Sequence, residues 1–377
     1  MKQQHRKQQT KKKKDDKSKL PVQEIKYRLP WYLKIILLLT FPIWIIPKLL
    51  INLILGKKIY DYLEYFPKSG IVDNPDYPNV EWNTLAFYNH DMEVKKASKK
   101  LLISEKEWDN LKPEDIKITS FDNTNLATFL FINKKPTNKW VIVLHGWMQN
   151  RYSILYLAKP FYEEGYNVLV YDARNHGSSD ITATTFGKNE SRDLLAVIKY
   201  LKTRYKENIL EYALIGNSMG ASTILQGLVT LPLKDYGVKS AIFDCGYDDF
   251  SHMIKILGQV NLKINWFWFY FGIKWWFFYY DKFNMNDVRP IRQISNCAET
   301  PMLFIHGTLD QTVPITMTKR IYQAKVESEN ATQRQGFSQL LIVENAGHIQ
   351  SITTDYELYT STVLKFVKRW FSNDKGK

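Results

Sequence analysis

Residues 212–229 read YALIGNSMGASTILQGLV, and the five at the centre, Gly216-Asn217-Ser218-Met219-Gly220, fit the pattern G-x-S-x-G. Glycine and serine are common, so the pattern gains meaning only from its flanks. Here an apolar strand, YALI, closes on the first glycine, and a helical run, ASTILQGLV, follows the last. Such a turn holds Ser218 in strained backbone, and a side chain at 216 or 220 would collide with neighbouring main chain. The hydroxyl then stands at a helix N-terminus, where the dipole favours developing negative charge. The bland alternative is a glycine-rich strand-to-helix turn with no chemistry.

The rest of the chain repeats this strand–helix alternation. IKITSF (116–121) and ATFLFI (127–132) read as a β-hairpin. WVIVLHG (140–146), YNVLVYD (166–172), SAIFDCG (240–246), PMLFIHG (301–307) and QLLIVEN (339–345) read as apolar strands. Helical periodicity fills residues 152–165, 189–204, 315–326 and 356–371. Continuous apolar strands separated by helices predict an α/β domain with a mostly parallel sheet covered on both faces.

A serine hydroxyl is a poor nucleophile until a base takes its proton. Of the seven histidines, His348 follows the strand QLLIVEN in a loop at the carboxyl edge of the sheet, where Ser218 also lies. It is the candidate base; the bland reading is a surface-loop histidine. The orienting acid should follow another strand. Asp310, in PMLFIHGTLDQTVP, is favoured by its place in a turn, and Asp244, at the end of SAIFDCG, is the rival. Both keep the chain order Ser, Asp, His, so order does not decide. Two backbone N–H groups must receive the oxyanion: that of Met219, and one from the loop His145-Gly146-Trp147-Met148, assigned to Trp147.

With these residues in place the chain resembles the α/β-hydrolase superfamily, in its serine esterase/lipase and acyl-peptidase-like bacterial branch. The resemblance rests on VIVLHGW (141–147), YDARNHGSSD (171–180), GNSMG (216–220), HGTLDQTVP (306–314) and AGH (346–348), in family order. It implies an α/β-hydrolase fold with an eight-stranded, mostly parallel sheet and helices on both faces. It also implies a catalytic triad Ser218, Asp310 and His348, with no metal and no organic cofactor. Asn175 stands where the family's R-G-H-G loop carries a glycine, and asparagine tolerates left-handed backbone better than most residues. Thr185-Phe186-Gly187, Glu190 and Asp193 also resemble the bacterial branch and read as structural.

Residues 247–298 form an insert between two strands, where the family often carries a cap. Twelve of the fifteen residues 266–280 are aromatic. They read as an aromatic cap core, as an apolar acyl pocket over Ser218 with Trp266, Trp268, Trp275 and Trp276 in its wall, or as a membrane-touching lid.

Composition bounds the remainder. The 377 residues are 45% hydrophobic and 24% charged, which excludes a chain disordered throughout. The net charge of +14 is concentrated in residues 1–28, where eleven Lys/Arg face three acids. That is a basic tail and not a nucleic-acid-binding face. Cys245 and Cys297 are too few for a disulfide framework or a four-cysteine zinc site. The apolar run 31–55 predicts a membrane anchor helix over 29–56, crossing once with the basic tail cytoplasmic. Lys34, Pro42, Pro47 and Lys48 interrupt it, which leaves a re-entrant or surface-lying segment as the alternative and a buried core helix as the bland reading. Residues 57–112 read as a linker, rich in Pro, Asp and Asn over 66–82, and a helical decoration; the hydrolase domain follows over 113–372. The sum predicts a membrane-attached serine hydrolase cleaving small or lipid-like esters of apolar acyl groups. The alternatives are a peptidase or amidase on the same machinery and a non-catalytic, hydrolase-like binding protein.

Overall fold

The computed structural model describes residues 30–39, 41–69, 81–205, 210–260, 263–334 and 336–372. The basic tail 1–28 and residues 70–80 of the expected linker lie outside them.

One sheet organises the domain. Its strands are β1 (Glu114–Thr119), β2 (Asn125–Phe131), β3 (Lys139–Leu144), β4 (Asn167–Tyr171), β5 (Glu211–Asn217), β6 (Val238–Asp244), β7 (Met302–Gly307) and β8 (Gln339–Val343). Their spatial order is β1-β2-β4-β3-β5-β6-β7-β8. β2 runs antiparallel to both neighbours, and every pairing from β4 to β8 is parallel. In β3, Val141 and Val143 enter one core, while Trp140, Ile142 and Leu144 enter the other. Both faces are therefore dry, which is why the strands read as unbroken apolar runs.

The helices are α1 (Trp31–Leu39), α2 (Phe41–Ser69), α3 (Leu85–Val94), α4 (Glu105–Leu111), α5 (Leu155–Glu163), α6 (Lys188–Arg204), α7 (Met219–Thr230), α8 (Phe250–Val260), α9 (Tyr270–Asp281), α10 (Ile315–Ala331), α11 (Ser351–Thr354) and α12 (Tyr356–Trp370). α5 and α12 cover one face of the sheet through Leu155, Phe161, Val363 and Phe366. α6, α7 and α10 cover the other through Leu194, Ile198, Ile224 and Ile321. α8 and α9 form the cap within the insert 247–298, over a third apolar cluster that includes Phe250, Phe269, Ile273, Phe277 and Met219.

The described residues lend the expected spanning anchor over 29–56 no support. Among the described residues no helix is long and apolar enough to cross a membrane. α1 ends at Leu39 and α2 begins at Phe41, with residue 40 outside the described residues. α1 has nine residues, about 14 Å at about 1.5 Å per residue. The far half of α2 is polar and docks on the protein. The near half also makes contact, so that α2 runs parallel to α9: Lys48 lies over the Phe267 ring, Trp276 Nε1 donates to Leu53 O, and the Tyr60 hydroxyl donates to Asp281. Where the helices cross, a Cβ on Gly56 would fall 2.3 Å from the Gly272 carbonyl carbon, and one on Gly272 would fall 1.8 Å from Asn52 O. Two glycines allow backbone to meet backbone here. Tyr60 and Leu63 of α2 join the cluster beneath the cap, so the helix is not isolated from the domain. The stretch expected to begin a linker at 66 is still helical to Ser69.

Candidate active site

The turn after β5 has the geometry its sequence predicts. Ser218 has φ 49° and ψ −117°, a conformation an L-residue reaches only when its surroundings impose it. The surroundings are close. A Cβ on Gly216 would lie 2.6 Å from the Gly220 carbonyl carbon, and one on Gly220 would lie 2.3 Å from Leu144 O. β3, the turn and the start of α7 therefore lock together only with glycine at both places. Met219 opens α7, so helix geometry leaves its N–H without an intrahelical acceptor.

The β8 loop brings His348 to this turn. Its Nε2 lies 2.9 Å from Ser218 Oγ and its Nδ1 2.7 Å from Asp310 Oδ2. A carboxylate can only accept, so Nδ1 carries the proton and Nε2 accepts from the serine hydroxyl. The two loops are joined by Leu309 N–H donating to Ala346 O at 2.9 Å.

Asp310 is buried and well supplied with donors. Its Oδ1 accepts from the N–H groups of Thr312 and Val313, both at 2.8 Å. Its Oδ2 accepts from His348 and lies 3.2 Å from His306 Nε2. Burial alone would raise its pKa. The charge on His348 and the hydrogen bonds from His306 and His348 outweigh that and hold the carboxyl well below the ordinary range.

The rival acid is engaged elsewhere. Asp244 Oδ2 accepts from the Tyr359 hydroxyl at 2.9 Å, and Ser351 Oγ lies 3.5 Å from Oδ1. Burial raises Asp244 to about 6, against a lowering contribution from Tyr359. Of the two candidates, Asp310 is the one bonded to His348.

The loop 145–148 lies against the nucleophile: a Cβ on Gly146 would come 3.2 Å from Ser218 Cβ. His145 is a brace for this loop. Its Nδ1 donates to Gly146 O and its Nε2 accepts from Ala173 N–H, both at 2.8 Å. Burial, with His176 nearby, lowers its pKa to about 3, so it stays neutral. Gln149 Oε1 accepts from Gly146 N–H. Trp147 is held from an unforeseen direction: its Nε1–H donates to Leu63 O of α2 at 3.1 Å, and its ring packs on Tyr62.

α2 reaches the site a second time through Glu64. Its carboxylate accepts from Thr184 N–H and from Asn175 Nδ2. Asn175 has φ 65°, so asparagine does serve in the left-handed position. Glu190 accepts from Thr185 N–H and Gly187 N–H, and Asp193 pairs with Arg174, both of them scaffold contacts.

The four tryptophans expected in an acyl pocket do not form one. Trp266, Trp268 and Trp275 are 39%, 41% and 47% exposed, and Trp276 is taken up by Leu53 O of α2. α9 instead turns Phe269, Ile273 and Phe277 inward. The residues that sequence reasoning missed are Leu63 and Glu64, which are distant in the chain, and His306. His306, four residues before Asp310, carried a local signal.

Among the described residues, one group has side chains that could hold a metal: Cys245, Asp310 and His348, with candidate ligand atoms within 4.8 Å of one another. Both His348 nitrogens are already used within the site, and burial raises the Cys245 thiol well above its ordinary range. This donor set is poorly suited to a cation.

Comparison with known proteins gives a consistent result. The sequence profile of a family described as alpha/beta hydrolase fold matches residues 139–271. The uncharacterized protein YqkD of Bacillus subtilis is 30% identical over 232 residues, 61% of this chain and 72% of the relative. The uncharacterized protein YfhR of Salmonella typhimurium is 23% identical over 68% of this chain and 81% of its own. Among solved structures, an esterase of Pyrococcus furiosus matches with a TM-score of 0.55 and 26% identity, over 71% of this chain and 97% of its own. An acylaminoacyl peptidase of Pyrococcus horikoshii matches with a TM-score of 0.52 and 15% identity, over 70% of this chain and 43% of its own, a likeness of fold alone.

Proposed function

Because the chain belongs to the α/β-hydrolase fold family, we propose that it is a serine hydrolase cleaving carboxylic esters with apolar acyl groups. The observation that carries the reading is the unbroken line from Ser218 Oγ through His348 to the Asp310 carboxylate. Likeness to the Pyrococcus furiosus esterase supports ester over amide.

The reaction follows from that line. Ser218 Oγ attacks the ester carbonyl carbon while His348 Nε2 takes the hydroxyl proton. Asp310 holds the resulting imidazolium in orientation. The tetrahedral oxyanion is received by the N–H groups of Met219 and Trp147. On collapse the C–O bond to the alcohol breaks, and His348 returns its proton to the departing oxygen. Water then attacks the acyl-enzyme by the same relay, releasing the acid and free Ser218.

Labelling of Ser218 by a fluorophosphonate, followed by turnover of an acyl-chain series beside a peptide series, tests this reading. Labelling with preferred turnover of esters supports it. Labelling with peptide turnover alone makes the chain an amidase or peptidase on the same machinery. Absence of both labelling and turnover leaves a non-catalytic binding protein. Membrane attachment belongs to the same proposal, in a surface-lying form.

A further inference from the structure

The outer side of the α2–α9 pair has no part in the hydrolytic reaction, yet it is strongly apolar. On α2, Ile46, Leu50 and Ile54 are 66%, 54% and 58% exposed, and they recur at the spacing of one helix face. That face is opposite the one carrying Asn52, Gly56 and Tyr60, which meets α9. On α9, Phe271, Trp275 and Phe278 are 52%, 47% and 58% exposed, opposite the inward Phe277. Soluble proteins rarely leave so large an apolar surface uncovered.

Charge selects the occupant. Residues 30–60 and 250–282 together carry eight lysines and one carboxylate, Asp281, which accepts from Tyr60. The lysines lie among the aromatic rings: Lys255 Nζ is 4.3 Å from the centre of the Tyr270 ring, and Lys57 Nζ, which pairs with Asp61 just beyond these segments, is 5.3 Å from that of Tyr280. Two copies of this face would bring like charges together. An apolar surface bordered by lysine and aromatic side chains matches the layer between acyl chains and anionic headgroups. The chain enters α1 directly from residues 1–28, which add a net +8 and are drawn to the same headgroups.

We propose that the outer face of the α2–α9 pair docks on a bilayer carrying anionic lipid, lying in its interface and not crossing it. The face is distinct from the catalytic residues, but α2 joins the two: its apolar half touches lipid, and its far end holds Trp147 through Leu63. The docked protein thus keeps its oxyanion loop tied to the element that senses the surface.

The test uses the full-length chain and sedimentation with vesicles, of phosphatidylcholine alone or of equimolar phosphatidylcholine and phosphatidylglycerol. Binding should be at least roughly tenfold tighter to the anionic vesicles and should weaken with salt. The double variant Leu50→Glu, Phe278→Glu should bind them at least roughly tenfold more weakly, with fluorophosphonate labelling and thermal unfolding as in the parent. Failure of the parent to bind, or equal binding by the variant, overturns the proposal. So does bound protein that resists carbonate extraction, which means a spanning segment. A dimer abolished by the same substitutions, without vesicle binding, overturns it in favour of self-association. Vesicle binding without labelling of Ser218 would sustain the docking face while the hydrolase reading fails.

Discussion

The turn at Ser218 and the crossing of α2 with α9 use the same device. In each, two glycines let main chain approach main chain closer than any side chain permits. In the turn they are Gly216 and Gly220, four residues apart and bracketing the Ser218 hydroxyl. In the crossing they are Gly56 and Gly272, brought together from opposite ends of the chain. The first pair makes a motif, because strand, turn and helix are continuous in sequence. The second makes none, and only folding reveals it. Close packing that is local leaves a written trace; close packing that is distant leaves only composition.

The contrast is sharpest at the nucleophile. Ser218→Ala should lower kcat by about a millionfold and abolish fluorophosphonate labelling, because the triad acts as a unit. Circular dichroism should show the same fold. Retained labelling would place the reactive group elsewhere and make the turn purely structural.

Asp310→Asn should cost about a thousandfold to ten-thousandfold in kcat, since the His348 tautomer and the imidazolium lose their partner. Asp244→Asn should cost less than about tenfold, because that carboxylate is bonded to Tyr359 and not to His348. The opposite ranking in steady-state rates would reverse the assignment.

Asp244 has a separate signature in stability. Burial raises it from 3.8 to about 6. Between those values the folded chain keeps a proton that the unfolded chain has released. Stability therefore falls as pH rises through this window and stays lower above it. Asp244→Asn removes the penalty. Relative to the parent, the variant should gain on the order of 3 kcal/mol between pH 4 and pH 7, read from urea unfolding at both. A difference independent of pH would contradict the assigned cause.

At the crossing, Gly272→Ala should cost about 2 kcal/mol by forcing the helices apart, with labelling of Ser218 retained. Thermal unfolding as in the parent would mean that α2 contributes little to the folded state. The smallest effect is expected where the two regions meet. Trp147→Phe removes the hydrogen bond to Leu63 O and should lower kcat roughly threefold to tenfold, with little change in KM. No change would mean that the oxyanion loop is held without α2.

What could be read in advance follows the same division. The sheet strands and the candidates Ser218, Asp310 and His348 were legible because each candidate lies within five residues of the end of a strand with a clear apolar run. The choice between Asp310 and Asp244 was not, since both end apolar strands in the right order. Their side-chain partners differ, His348 for Asp310 and Tyr359 for Asp244, and Tyr359 lies 115 residues beyond Asp244. The cap tryptophans were misplaced for another reason. With aromatic residues on every side of α9, periodicity gives no inward face. Packing on Phe186, Phe250, Phe283 and Tyr60 buries Phe277 and leaves Phe278 exposed. Leu63 and Glu64 gave no sign of their distant partners, Trp147, Asn175 and Thr184.

The span between Tyr60 and Asp281 also sets an order of events during synthesis. The two are 221 residues apart, so at about 5–20 residues per second the ribosome needs roughly 10–45 seconds to supply α9 after α2 has emerged. Throughout that interval the face of α2 that will meet α9 is bare, as is its outer face. Whatever shelters the nascent helix must then surrender one side of it to the cap. The contact of Trp147 Nε1 with Leu63 O spans only 84 residues, so both its partners have emerged well before α9 is made.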